Sequence, residues 1–143
     1  MSIAEAFLNE LTYEGVGTRK LLERLPEARF GWKPHPKSMT LGRLAAHVSE
    51  TLEWTGAIVN QPELVWDPAE YTPADFKTVA ELLGAFDKNL QSVKDALKGV
   101  SDQQLMATWK FRVKDQVIFE MPKVAVIRSM VINHHIHHRG QLT

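Results

Sequence analysis

The strongest constraint on the fold is a set of apolar stripes recurring at three- and four-residue steps, each opened by a helix-start signal and closed by proline or glycine. Ile3, Phe7 and Leu11, then Leu21, Leu22 and Leu25, follow the helical period with charged residues between them. Ser2 followed by Glu5 forms a capping-box start, and Pro26 stops this first helix. Gly15 and Gly17 each weaken its middle by about 1 kcal/mol relative to alanine, which suits a close helix contact or a kink. Thr40 caps a second helix running to about Asn60. Thr78 and Glu81 open a third that ends near Gly99, and Pro122 suits the first turn of a fourth that reaches the chain end.

The intervening segments are of two kinds. Pro34 and Pro36 keep residues 30–39 out of helix, and Pro62, Pro68 and Pro73 make residues 61–77 a long connection. Ser101 can start one short turn. Residues 108–120 alternate (Trp109, Phe111, Val113, then Val117, Phe119) in the manner of a short hairpin turning near Lys114 and Asp115. The expected fold class is therefore all-α: a four-helix bundle with long crossover connections and a short hairpin before the last helix, in one domain over residues 1–143.

Charge narrows the functional classes. Seventeen basic residues balance seventeen acidic ones, so the formal net charge is zero, against the basic footprint of a nucleic-acid binder. Neutrality also favours self-association. No apolar run approaches the ~20 residues that cross a bilayer, and residues 1–5 lack the basic and apolar regions of a signal peptide. A cytoplasmic location with no membrane or nucleic-acid partner is expected. The absence of cysteine confines any metal site to His, Asp, Glu or backbone oxygen, and any thiol chemistry to a thiol brought by the substrate.

Five of the six histidines fall in two places: His47 in the second helix, and His134, His135, His137 and His138 near the end of the fourth. At about 100° per residue, His134 and His138 share a face with Ile127 and Val131 and are expected to point into the core. His135 turns away and His137 lies at the edge of that stripe. His47 shares its face with Leu44, Thr51, Trp54 and Ile58, so it too points inward. Three converging imidazoles are costly to leave unpaired, and a cation would satisfy them. The plainer readings are a hydrogen-bonded core histidine for His47 and a pH-sensitive interface for His135 and His137.

Residues 41–48 (Leu-Gly-Arg-Leu-Ala-Ala-His-Val), the ending Asn133-His134-His135-Ile136-His137-His138-Arg139-Gly140-Gln141-Leu142 and the Phe30-Gly31-Trp32-Lys33-Pro34 loop resemble the DinB/YfiT-like superfamily of metal-dependent bundles. The resemblance spans essentially the whole chain. It implies a divalent ion, zinc or nickel foremost, held by His47, His134 and His138, often in a homodimer. It also implies a small-molecule substrate, and among characterised relatives a low-molecular-weight thiol used by S-transferases. Family members usually continue past the His-Arg-Gly-Gln-Leu run, so a C-terminal tail is expected to be missing here.

Three neutral imidazoles leave a divalent ion its full charge and an open position, an arrangement of catalytic rather than structural type. The favoured reading is a thiol-dependent S-transferase acting on a small electrophile. A metal-dependent hydrolase and a non-enzymatic, metal-stabilised binding or stress-response protein are the alternatives. Glu50, one turn after His47, is the candidate general base, against its reading as a solvated surface glutamate. Thr51 and Trp54 are candidates for the pocket mouth, with plain core the alternative for Trp54. Arg139 is a candidate for a substrate anion or a helix contact.

Overall fold

In the computed structural model, which describes all 143 residues, the capping signals become the helix starts. Helix α1 spans Ile3–Glu23. The Ser2 hydroxyl accepts from the Glu5 N–H, and the Glu5 carboxylate accepts from the Ser2 N–H at 2.7 Å. Its buried face, Ala4, Phe7, Leu11, Gly15, Thr18 and Leu22, keeps the three-four step throughout. A turn of 3-10 helix at Glu27–Arg29 leads into the loop before α2 (Leu41–Glu50). Helix α3 (Trp54–Asn60) follows, and α4 (Val79–Leu97) packs along α1. Thr78 caps α4 as expected, while the Glu81 carboxylate reaches one residue further back, to the Lys77 N–H at 2.9 Å. The short α5 (Asp102–Met106) is held by a complete capping box at Ser101, and its Asp102 accepts from the Ile3 N–H.

The expected second helix to Asn60 is broken between Glu50 and Trp54. Side chains capture the carbonyls that would continue it. The Thr51 hydroxyl and a His135 ring nitrogen bond the Val48 oxygen, and the Asn89 amide bonds the Ser49 oxygen. The ladder then tightens, with Leu52 bonding Ser49, Glu53 bonding Glu50 and Thr55 bonding Leu52 at three-residue spacing.

The all-α expectation is also corrected, because a three-stranded sheet lies beside the helices. Strands β2 (Thr108–Val113) and β3 (Gln116–Pro122) form the anticipated hairpin, turning at Lys114 in the left-handed region (φ +53°). Strand β1 (Glu63–Trp66), inside the long connection, adds parallel to β2. Its four residues between prolines are too few to show a period. Trp109 is fully buried in β2, and Trp54 of α3 stacks on Phe111 with ring centroids 6.0 Å apart, so aromatic side chains join the sheet to the bundle.

The last helix runs without a break through α6 (Lys123–Val126), a π-helical stretch (Ile127–Asn133) and α7 (His134–Gln141). π winding takes about one residue more per turn than α winding. The buried face that starts at Ile127 and Val131 therefore arrives at His135 in place of His134. No helix is long and apolar enough to cross a membrane.

The two glycines of α1 differ. A Cβ on Gly15 would come within 2.9 Å of Leu90 in α4, whereas one on Gly17 would meet only the Arg139 guanidinium at 3.9 Å. Gly17→Ala should raise the urea midpoint by the equivalent of about 0.5–1 kcal/mol through helix propensity. Gly15→Ala should gain less or lose stability, as Leu90 must move. Equal gains from the two variants would show that the close approach at Gly15 has no energetic weight.

Candidate metal centre

Helix α2 carries His47 and α7 carries His134 and His138, and the packing of these two helices brings the three rings together. One ring nitrogen from each lies within 4.8 Å of the others, and the Nε2 atoms of His47 and His134 are 3.2 Å apart. Ring centroids are separated by 4.5–5.1 Å. All three residues are half-buried at the rim of the bundle. The expected core placement of His134 and His138 is thus corrected by the π-helical phase shift. His135, expected to turn outward, is 1% exposed.

The second nitrogen of each ring has an acceptor. Nδ1 of His47 lies 3.2 Å from a Glu50 carboxylate oxygen, Nδ1 of His134 lies 3.1 Å from the Met130 carbonyl, and Nδ1 of His138 lies 2.7 Å from the Gln141 side-chain oxygen. A carboxylate and a carbonyl can only accept, and Gln141 presents its oxygen. Each neutral ring therefore keeps its proton on Nδ1 and leaves Nε2 bare. Between His47 and His134 no proton remains to make a hydrogen bond of the 3.2 Å contact. Burial pushes the pKa of His134 and of His138 down, and the neighbouring imidazoles add to the shift, which keeps these rings neutral.

Two nitrogens bound at about 2.0–2.1 Å to one tetrahedral zinc stand about 3.3 Å apart. The His47–His134 spacing fits that value, and three neutral imidazoles with backing acceptors are a suitable donor set for a divalent transition ion.

Glu50 is 8% exposed and not the solvated surface glutamate of the plainer reading. It receives two hydrogen bonds from Arg43 at 3.1 and 2.8 Å, one from the Tyr71 hydroxyl at 3.0 Å and one from the Ala74 N–H at 3.0 Å, besides His47. Burial alone would raise its pKa, but His47, Arg43 and Ala74 outweigh burial and hold it at about 2. A carboxylate so fully engaged is a fixed acceptor rather than a proton carrier. Thr51 is 2% exposed and does not line a pocket mouth; its hydroxyl lies 3.1 Å from His135 Nδ1. Trp54 belongs to the aromatic layer against the sheet. Arg139 pairs with Glu14 at 2.6 Å and bonds its carbonyl, tying α7 to α1.

Sequence patterning missed the roles of Arg43 and Gln141 and the inward role of His135. Gln141 had a usable signal, three residues after His138 on a helix.

Residues 11–142 match the model of the DinB superfamily. No curated protein matches the chain. Among solved structures, a DinB-like protein from Bacillus cereus is similar at 24% identity and a TM-score of 0.70, covering 96% of this chain and 87% of that one. The DinB-like protein YjoA from Bacillus subtilis is 17% identical with a TM-score of 0.72, over 96% of this chain and 86% of that one. YfiT from Bacillus subtilis, described as a probable metal-dependent hydrolase with an unusual four-helix-bundle topology, is 12% identical with a TM-score of 0.67, over 97% of this chain and 85% of that one. At these identities the likeness shows a shared fold.

Acid should loosen this region in a defined order. Burial lowers the His135 pKa from 6.5 to about 4, so the unfolded chain binds more protons than the native one between those values, and stability falls with pH across that window. The shift corresponds to about 3 kcal/mol. Glu50, depressed from 4.5 to about 2, removes further stability as pH falls through that lower range. In chelator-treated protein, urea titrations of His135→Gln should show a shallower decline than wild type between pH 6.5 and 4, the remainder belonging in part to His134 and His138. An unchanged decline in that variant would assign it to other groups.

Proposed function

The chain belongs to the DinB superfamily, and on that premise we propose that it is a metal-dependent enzyme of small-molecule chemistry with His47, His134 and His138 as its metal ligands. The observation that carries the proposal is the convergence of the three rings, one nitrogen of each within 4.8 Å of the others and Nδ1 of each against an acceptor. Three neutral ligands leave a divalent ion's charge uncompensated and part of its coordination open. When bound, such an ion supplies Lewis-acid stabilisation to a thiolate or an oxyanion.

The chain's own residues do the positioning. Glu50, Met130 and Gln141 each fix the tautomer and ring plane of one ligand. Arg43, Tyr71 and the Ala74 N–H in turn hold Glu50. Glu50 stays ionised throughout the working pH range, so the proton released by a substrate must leave to solvent or an exposed group.

The preferred reaction is thiol-dependent S-transfer. A substrate thiol loses its proton, its sulfur bonds to a carbon of a small electrophile, and the leaving group departs with the displaced electron pair. The lack of cysteine in the chain makes the thiol a substrate, and the superfamily resemblance favours this class. Hydrolysis is the second reading, favoured by the likeness to YfiT and what is said of that protein. A metal that only stabilises the bundle is the third.

Elemental analysis should find about one equivalent of zinc or nickel per chain, and His138→Ala should lose it. Glu50→Gln should weaken metal affinity about 10- to 100-fold in competition with a chromogenic chelator, as loss of a backing acceptor does. Protein that takes up no ion, or a His138→Ala variant that retains it, would refute the site. The melting temperature after chelation then separates the readings, since a structural metal makes it collapse. Loaded protein assayed with a small thiol and a chloronitroarene, and with activated esters, distinguishes transfer from hydrolysis.

A further inference from the structure

Beside the histidines lies a cavity of about 380 Å³, formed where the loop of residues 32–41 meets α2 and the end of α7. Its lining combines Trp32, Met39, Leu41 and Leu44 with polar groups of the loop, Lys37 among them, and with Gln141 on the α7 side. Trp32 is 55% and Met39 40% exposed. An indole and a thioether left facing water in a concavity are poorly solvated and gain by covering.

Gln141 joins this cavity to the metal centre. It lines the cavity, and its side-chain oxygen holds Nδ1 of His138 at 2.7 Å. Leu44 stands one helical turn before His47 on the same face of α2. The cavity therefore borders the histidine centre through Gln141, on the Nδ1 side of His138. The loop that builds it is fastened: the Leu41 N–H donates to the Trp32 carbonyl at 2.7 Å, the Gly42 N–H to Phe30 at 2.9 Å and the Ser38 N–H to His35 at 2.9 Å. Phe30 also packs so closely on α2 that a Cβ at Gly42 would lie 2.9 Å from it. Such a pocket is formed before ligand arrives, so little ordering entropy is spent in filling it.

We propose that this cavity is the substrate subsite of the histidine centre and that it selects small molecules carrying a ring-sized apolar group next to their metal-binding end. The inference rests on the metal reading above and adds a substrate class to it. The cavity volume suits one small molecule rather than a peptide or a second chain, and the shared Gln141 makes the cavity a neighbour of the histidine centre.

Hydroxamates test this without turnover, because they bind metals through one end and differ only in the other. Zinc-loaded wild-type protein should bind benzohydroxamate roughly ten- to hundredfold more tightly than acetohydroxamate, the range given by burying one ring. Trp32→Ala, and separately Met39→Trp, which fills the cavity, should each bring that ratio close to the ratio of the free probes for zinc. Zinc content and acetohydroxamate affinity should be unchanged in both variants. Equal affinity for the two probes in wild type would overturn the subsite, as would variants that keep the preference, or zinc-loaded protein that binds neither probe. Loss of dimer in Trp32→Ala with no probe preference in wild type would assign the cavity to a second copy and also overturn it. Absence of zinc on the same samples would instead strike the metal reading itself, so the two failures are distinguishable.

Discussion

The Glu50 carboxylate is the contact on which the centre's geometry depends. A nearly buried negative charge is costly unless several donors meet it, and here two guanidinium N–H groups, a phenol, a backbone N–H and an imidazole do so. Two of those donors, Tyr71 and Ala74, come from the connection between β1 and α4. The same carboxylate thus pins a segment without regular structure onto α2 and sets the ring plane of His47. The depressed pKa of Glu50 follows from that crowd of donors, so the carboxylate itself stays ionised at neutral pH.

The helix boundaries were largely legible because they rest on local chemistry. Ser2, Thr40, Thr78 and Ser101 each cap the helix that follows them, and Pro26 lies just past the end of α1. The break after Glu50 was not legible, since it depends on Asn89 and His135 reaching carbonyls from distant elements. Strand β1 was hidden for a related reason. Its pairing partner is supplied by residues 110–113, and nothing within Glu63–Trp66 announces that pairing.

The histidine triad was legible as a set, and its environment was not. Counting 100° per residue along the last helix gives the right separation of His134 from His138 but the wrong phase relative to the core. The π-helical stretch from Ile127 to Asn133 intervenes, and one wide turn is enough to exchange the places of neighbouring residues. Had the winding stayed α throughout, His134 would lie about 20° from Ile127 and continue its face into the bundle. The π segment therefore brings His134 to the half-buried rim beside His47 and His138.

His135 serves as the internal comparison for its neighbours. It is the same residue type on the same helix, yet both its nitrogens have partners within the protein: Nδ1 meets the Val48 carbonyl at 3.1 Å, and Nε2 meets the Thr18 hydroxyl at 2.8 Å. Burial without an unmet lone pair is the ordinary way a fold accommodates histidine. His47, His134 and His138 depart from it in the same respect, one nitrogen anchored and the other aimed at two further imidazoles. Bare lone pairs 3.2 Å apart repel, so packing that holds them there is strained unless something positive joins them. A neutral ring can donate across that contact only by moving its proton from Nδ1 to Nε2 and giving up its anchor, and a protonated His134 or His138 carries a charge that burial disfavours. A cation shared by all three requires neither, and the three nitrogens offer it a common site.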